Sequence, residues 1–597
     1  MRETQKEEMI MIAIVTDKPD TGKEIARILG AHRRENGYMS GNGYMVTWTF
    51  GNMISLAMPK DYGVGQLKRE DFPLAPTPFR LMVRHIKTDT GWVPDINAVL
   101  QLKVIEKVFA ACDRIVSATD ANREGEMLFR YLYQYLECKQ PYYRLWISSL
   151  TDKTVLNGMD NLRSGSLFDH LYLAGDSLGK ADWLLGQNAS YALCRATGMG
   201  NNSLGRVQTP VLAAISSRYR ERENHIATDT WPVFISLYKD NILFRMRCTE
   251  EFTDRRRAVQ LYEDCKLTGH ARITATDRQP REIQPPELYN LTELQKDANT
   301  YHGMTAGQSF DIAQRLYEKK LISYPRTSSR FLSKDVYRTL PSIMEKLLNR
   351  KEFHPYAKAM GINAANLSKR VIDPDQAAEH HAIIVTDTQP QGLSPDEMML
   401  YLLIAGRMLE ALMPACKVEY TTVDAICAAR RFQCRAYRII EKGWFSLFGR
   451  ESVIAGSEYQ SAPLPELPDG ETVTMAGCNL VHKRDLPVSA YTDAELMAYM
   501  DTAGLGTAAT RTNILQTLIN RKYIRYSGRY IIPTRKGLFV YETTRGMKIT
   551  DATLTSGWEA QLALIEQGKL SQEVFLGGVR ELTGEITDEI FQRYAKE

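Results

Sequence analysis

The chain has 597 residues, 44% of them hydrophobic and 24% charged, with a formal net charge of +4. That length excludes a single core and calls for several domains. The near-balanced charge excludes a strongly basic or acidic protein. Any nucleic-acid surface must therefore be local, as in Arg255-Arg256-Arg257 or the Arg430-Arg431-Phe432-Gln433-Cys434-Arg435 run, although a solvated face reads the same way. The nine cysteines are scattered and none forms a Cys-x-x-Cys pair. A zinc ribbon or thioredoxin-type site is excluded, and the pattern fits a reducing cytosol. The apolar run from Met9 to Val15 is too short to cross a bilayer and lacks a small-residue cleavage site. The expectation is a soluble, cytoplasmic protein with no membrane partner.

Residues 9–16 predict a buried strand that ends at Asp17-Lys18-Pro19. Gly22 to Leu29 have helical spacing, with Gly30 as the stop. Thr21-Gly22-Lys23-Glu24 looks like a nucleotide loop. However, Asp17 stands where its first glycine belongs, and Glu24 replaces the metal-binding Ser or Thr, so a P-loop is rejected. A strand from Tyr44 to Thr49 leads to Gly51-Asn52. A helix from Ile96 to Ala111 precedes a third strand, Arg114 to Ala118. Alternating elements imply a largely parallel sheet with its active edge at the carboxyl ends of the strands.

Asp120, Asn122 and Glu124 follow the third strand, spaced by two. In an extended turn their oxygens converge, and hard oxygen ligands suit Mg²⁺. Asp17, at the end of another strand, would complete such a site. Helix capping explains the same residues, and the two readings are compatible. Beyond residue 150 the pattern turns helical (171–192, 208–219). It is strand-like over 229–280, helical over 291–320 and through a block at 331–413, and strand-like again over 418–447. Residues 459–473 read as a Pro- and Gly-rich linker. The span 492–597 is helical, with short strands between Tyr523 and Ile532.

The helix over 291–320 runs into Leu321-Ile322-Ser323-Tyr324-Pro325-Arg326-Thr327-Ser328. Pro325 biases Tyr324 toward extended backbone, where residues i and i+2 share a face. A phenolic oxygen is a covalent nucleophile, and a guanidinium grips phosphate with two donors. Tyr324 and Arg326 together point to attack on a phosphodiester, while either residue alone also reads as packing.

The ordered motifs resemble those of the type IA DNA topoisomerases, most closely the topoisomerase III group. Val15-Thr16-Asp17-Lys18-Pro19 resembles the family's opening turn, and Val46 to Asn52 its second strand and turn. Asp120 to Glu126 resembles the Asp-x-Asp-Arg-Glu-Gly-Glu motif of the Toprim domain. Ser323 to Ser329 resembles the active-site motif. Ala181 to Gly186, Ser203 to Pro210, Glu379 to Ile384 and Gly504 to Arg511 complete the series. The resemblance implies a multidomain α/β and α+β protein, with an N-terminal Toprim domain of parallel-sheet type (9–150) and a toroidal core of helical and β lobes. That core would hold a helical DNA-binding lobe (151–215 and 460–597), a β-rich arch (216–280 and 410–459) and a lobe carrying the tyrosine (281–409).

The resemblance also implies the chemistry. Tyr324 would attack one strand and become joined to its 5′ phosphate, the ring would open for passage, and religation would follow without ATP. Arg326 would hold the scissile phosphate, Lys18 would stabilise or protonate the leaving oxygen, and His380 would sit beside the phosphate. Asp17, Asp120, Asn122 and Glu124 would bind Mg²⁺. Asn52, Asp182, Ser203, Leu204, Gly205, Arg206, Val207, Gln208 and Arg326 would contact DNA. The implied substrate is single-stranded and negatively supercoiled DNA, and the implied state is a monomer; a helicase partner is left open. Asp17 replaces the usual Glu, Asn122 an Asp and Ser328 an Asp, which together imply a weaker Mg²⁺ site. Leu178 and Lys180 stand where an arginine pair is expected. The rivals are a Toprim-type nuclease or primase, which would not need Tyr324, and a catalytically weakened single-strand binder.

Overall fold

The structure, a computed structural model, describes residues 10–63, 68–88, 91–147, 150, 152–200, 202–353, 367–377, 380–448 and 464–594. Parts of two expectations, the helical block at 354–366 and the linker at 459–463, lie outside the described residues, as does Glu379. The first strand, Ile12–Thr16, is the middle of a seven-stranded sheet. Across the sheet the order is Arg163–Ser164, Tyr142–Arg144, Arg114–Ser117, Ile12–Thr16, Tyr44–Trp48, Tyr38–Gly41 and Arg33–Glu35. The four strands from Tyr142–Arg144 to Tyr44–Trp48 are parallel and the outer three antiparallel.

Ile12–Thr16 is covered on both faces. Ala13 and Val15 pack with Ile105, Phe109 and Phe129, while Ile14 packs with Ile25, Leu29 and Val155. Two-sided burial explains the unbroken apolar run. Each fully buried side chain of this size contributes about 1.5–3 kcal/mol. Helix Pro19–Leu29 starts on a proline and stops at Gly30, which has left-handed backbone (φ 78°). Because Ile12–Thr16 and Arg114–Ser117 are parallel neighbours, Asp17 and Asp120 emerge from the same sheet edge.

The chain then forms a long helix, Asp169–Thr197, followed by Gln208–Glu223, before it enters a closed six-stranded barrel. The barrel order is Val233–Lys239, Ile242–Cys248, Arg430–Glu441, Cys416–Cys427, His270–Ile283 and Thr472–Leu480. Two expectations need correction here. Residues 229–280 are not all strand, because Arg255–Thr268 is a helix. Asp254 caps it, Gly269 ends it, and Ala258, Leu261 and Cys265 form its buried stripe at helical spacing. The expected boundary at 460 also falls short, because Thr472–Leu480 pairs with both Val233–Lys239 and His270–Ile283 and so closes the barrel.

Between its two visits to the barrel the chain builds the tyrosine lobe. Helices Leu291–His302, Ala306–Glu318, Leu340–Leu348 and Pro395–Ala411 pack around Leu294, Leu316, Ile404 and Met408. The expected helical block at 331–413 is interrupted. Ile322 and Val385 form an antiparallel bridge, and Leu332 bridges Ile372. The remaining helices, Asp493–Thr502, Ala508–Asn520, Arg535–Thr544, Thr553–Glu566 and Gln572–Tyr594, share one core with Asp169–Thr197. Among the described residues, no helix is long and apolar enough to cross a membrane.

Candidate active site

Helix Ala306–Glu318 ends at Lys320, which has left-handed backbone (φ 60°), and the Leu321 N–H turns back to the Leu316 carbonyl at 2.9 Å. The chain then runs extended beside residues 382–385. The Ser323 N–H donates to the Ile384 carbonyl, and the Ile384 N–H donates to Ser323 Oγ, both at 2.9 Å. This pairing aims Tyr324 out of its own lobe. Its ring lies 5.5 Å from that of Tyr317 and 4.5 Å from that of His380, and its hydroxyl donates to Asp120 Oδ2 at 2.7 Å. Burial, the Asp120 charge and that hydrogen bond hold the phenol well above its ordinary value, so it rests protonated with its proton directed at a carboxylate.

Asp120 faces Asp17 across the sheet edge. Lys18 Nζ lies 3.1 Å from Asp17 Oδ2, 3.7 Å from Asp120 Oδ2 and 5.8 Å from the centre of the Tyr324 ring. Burial and the Asp120 charge raise the Asp17 carboxyl, against the pull of Lys18. Asp17 Oδ1 is buried without a hydrogen-bond partner. Two carboxylates against one ammonium, with one oxygen unpaired, form a donor set that fits a hard cation.

The expected ligand quartet does not converge. Asn122 has extended backbone at the start of helix Arg123–Tyr135, and its Oδ1 accepts from the Gly125 N–H at 2.8 Å. From Arg123 onward each residue turns by about 100° about the helix axis, so the spacing-by-two argument fails there. Glu124 is exposed on the first turn. Among the described residues, no group of three His, Cys, Asp or Glu side chains is placed to hold a metal ion. Gly125 is required, because a Cβ there would lie 2.1 Å from the Asp120 carbonyl oxygen.

The Asp120 loop is held from below by a residue that the sequence reading missed. Arg144 donates from Nη1 to Ser117 Oγ (2.9 Å), Thr119 Oγ1 (2.8 Å) and the Thr119 carbonyl (2.9 Å), and from Nη2 to the Asp120 carbonyl (2.5 Å). Its Nε lies 3.1 Å from Glu126, which also accepts from Arg130. The signal available in the sequence was an arginine closing the apolar strand Tyr142–Arg144.

Arg326 lies 5.0 Å over the Phe310 ring, and its buried Nε has no hydrogen-bond partner. Its charge also lowers the Tyr324 phenol, against the larger upward effects. Asn52 is exposed in the turn beside Asp17, where the Gly51 N–H donates to the Asp17 carbonyl. The residues expected to line the groove are mostly engaged within the protein. Arg206 is 8% exposed; its Nε donates to Asp182 at 2.9 Å and its guanidinium stacks over Trp558. The Ser203 N–H donates to the Tyr523 hydroxyl, and the Ser203 hydroxyl accepts from Gln208. Leu204 is buried and its N–H donates to Ser190 Oγ, the Gly205 N–H donates to Thr209 Oγ1, and Val207 is half-buried. Lys180 pairs with Asp176 at 2.5 Å.

A parallel sheet ending in an acidic pair, met by a buried tyrosine from a second lobe, is an arrangement for reversible phosphodiester exchange. Comparison with known proteins agrees. The Toprim domain family matches residues 12–150, and a family described as DNA topoisomerase matches 166–577. The chain belongs to the type IA DNA topoisomerases. Within that family it is of the topoisomerase III kind: it is 31% identical to DNA topoisomerase 3 of Bacillus licheniformis, over 98% of this chain and 82% of that one. It is 32% identical to DNA topoisomerase 3 of Bacillus subtilis (strain 168), with the same coverage. The fold matches full-length topoisomerase I from Thermotoga maritima with a TM-score of 0.72 at 20% identity, covering 97% of this chain and 90% of that one. The protein is thus an isomerase that breaks, passes and rejoins DNA strands without ATP, built on a toroidal core with a parallel-sheet N-terminal domain. The Toprim domain is of a kind that typically binds divalent metal ions.

Proposed function

We propose that Tyr324 is the nucleophile and that Asp120 takes its proton. The 2.7 Å hydrogen bond from the phenol to Asp120, formed between two lobes, is the observation that carries this reading. The phenolic oxygen bonds to phosphorus, the bond from phosphorus to the 3′ oxygen breaks, and the proton handed to Asp120 returns to that 3′ oxygen. Bond count and proton count balance, so rejoining needs no ATP. Lys18, held between Asp17 and Asp120, stabilises negative charge on the leaving oxygen. Arg326, two residues from Tyr324, orients the phosphate, and His380 packs against the phenol ring and fixes its direction. Asp17 and Asp120 are the residues that would hold Mg²⁺, which when bound supplies positive charge beside the phosphate.

The substrate in this reading is single-stranded or negatively supercoiled DNA, cut by a monomer in the cytoplasm. The free cysteines support a reducing compartment. Both relaxation and decatenation fit the mechanism, and so does a helicase that supplies unwound strands.

The test is negatively supercoiled plasmid incubated with wild type and with Tyr324→Phe, with and without Mg²⁺. Relaxation and a covalent 5′ adduct in wild type, both lost in the variant, are the expected result. An adduct that survives the substitution would overturn the assignment.

A further inference from the structure

We propose that Glu24 and Lys320 form a latch that sets how readily the ring opens. The inference rests on Tyr324 being the nucleophile. Lys320 Nζ lies 2.6 Å from Glu24 Oε1, across the same pair of lobes that the Tyr324–Asp120 hydrogen bond joins. Lys320 occupies the left-handed position that redirects the chain into the Tyr324 segment, and its carbonyl accepts from Thr386 Oγ1 at 2.5 Å. Its backbone is thus fixed four residues before the nucleophile.

Glu24 is equally fixed. Arg27 reaches it from one turn further along helix Pro19–Leu29, with Nε at 3.2 Å and Nη2 at 2.9 Å, and Arg27 is anchored in turn on Asp152 at 2.5 Å. Burial works against the charge of Glu24, yet Arg27 and Lys320 hold its carboxyl below the ordinary value. The acceptor is therefore oriented before Lys320 arrives, and little ordering is lost when the pair re-forms. The same residue breaks the phosphate-loop resemblance of Thr21-Gly22-Lys23-Glu24, and the latch gives that carboxylate a role. When the ring opens, Tyr324 leaves Asp120 and Lys320 must leave Glu24. Neither Glu24 nor Lys320 belongs to the acidic pair or contacts Tyr324, so the latch should govern opening and leave strand cleavage alone.

The test uses the full chain on a single DNA strand held in magnetic tweezers, with opening read as extension jumps. Glu24→Gln and Lys320→Gln should each raise the open fraction by about two- to fivefold, as expected for an ion pair with one exposed partner. Covalent adduct yield on an oligonucleotide should not change. The double change Glu24→Gln with Lys320→Gln should open no further than the more open of the two single variants. Raising salt from about 50 to about 300 mM should open wild type more than either Gln variant. Wild-type opening in both Gln variants would overturn the latch, and so would a double Gln variant that opens as far as the single changes combined. An adduct persisting in Tyr324→Phe would overturn the nucleophile assignment, while the opening measurement still judges the latch on its own.

Discussion

Arg144 is 1% exposed, and both of its terminal nitrogens donate to the loop that carries Asp120. It acts on the reaction through the position of a carboxylate. Arg144→Lys keeps the charge but loses the planar fork that reaches Ser117, Thr119 and Asp120 together. We expect adduct yield to fall about tenfold or more, the cost typical of groups that orient a ligand from behind, with circular dichroism unchanged. A wild-type yield would show that the loop holds itself. At this scale the sequence was informative where chemistry and position coincide, as for Tyr324, Lys18, Asp17 and Asp120, which meet in space. It was less so where backbone geometry intervenes. Asn122 is spent on a helix start, and Glu124 lies exposed on its first turn. Arg206 reads as a phosphate contact, but its Nε pairs with Asp182, a residue 24 positions away that no local pattern connects to it.

Among elements, the joint between helices Ala306–Glu318 and Pro395–Ala411 behind the tyrosine rests on Glu397. That carboxylate accepts the Ser394 N–H at 2.9 Å, closing a capping box, and accepts Lys319 at 2.8 Å from the neighbouring helix. Lys319, the Ser394 N–H and Arg315 lower it from the ordinary 4.5 to about 2. A lowered carboxyl stabilises the fold above its unfolded value, and the contribution is lost as pH falls from about 4.5 toward about 2. Glu397→Gln should therefore weaken amide-exchange protection of 395–411 by about 1 kcal/mol at pH 7, and the gap to wild type should shrink by about pH 3. A gap independent of pH would place the effect in packing alone. Elements with explicit end signals were legible, such as the first helix, Pro19–Leu29, which stops at Gly30. Helix Arg255–Thr268 was not, because its three core residues sit among strand-like neighbours on both sides.

For the whole molecule, the unit to follow is the ribbon of His270–Ile283, Cys416–Cys427 and Arg430–Glu441. At one end its residues Ile273, Val423 and Phe432 lie in the barrel core; at the other, Cys416, Val418 and Tyr437 lie in the core of the tyrosine lobe. Barrel and tyrosine lobe must therefore move together. By contrast, the barrel joins the helical lobe through two short crossings, Asp229–Thr230 against Lys483–Arg484, steadied by His482 on Asp229 and by Trp231 stacked on His482. Asp229 and Arg484 are directly opposed, at a separation of about 4.5–5.5 Å that suits a disulfide. The pair Asp229→Cys and Arg484→Cys, oxidised, should stop strand passage, leave adduct formation intact and recover on reduction. Full passage with the bridge formed would place the pivot elsewhere. With the bend confined to that narrow neck, the 14-residue strand His270–Ile283 becomes a lever arm roughly 45 Å long. A tilt of about 10° at its foot would carry the far end through roughly 8 Å, so a small local flexure can part a tyrosine from its carboxylate.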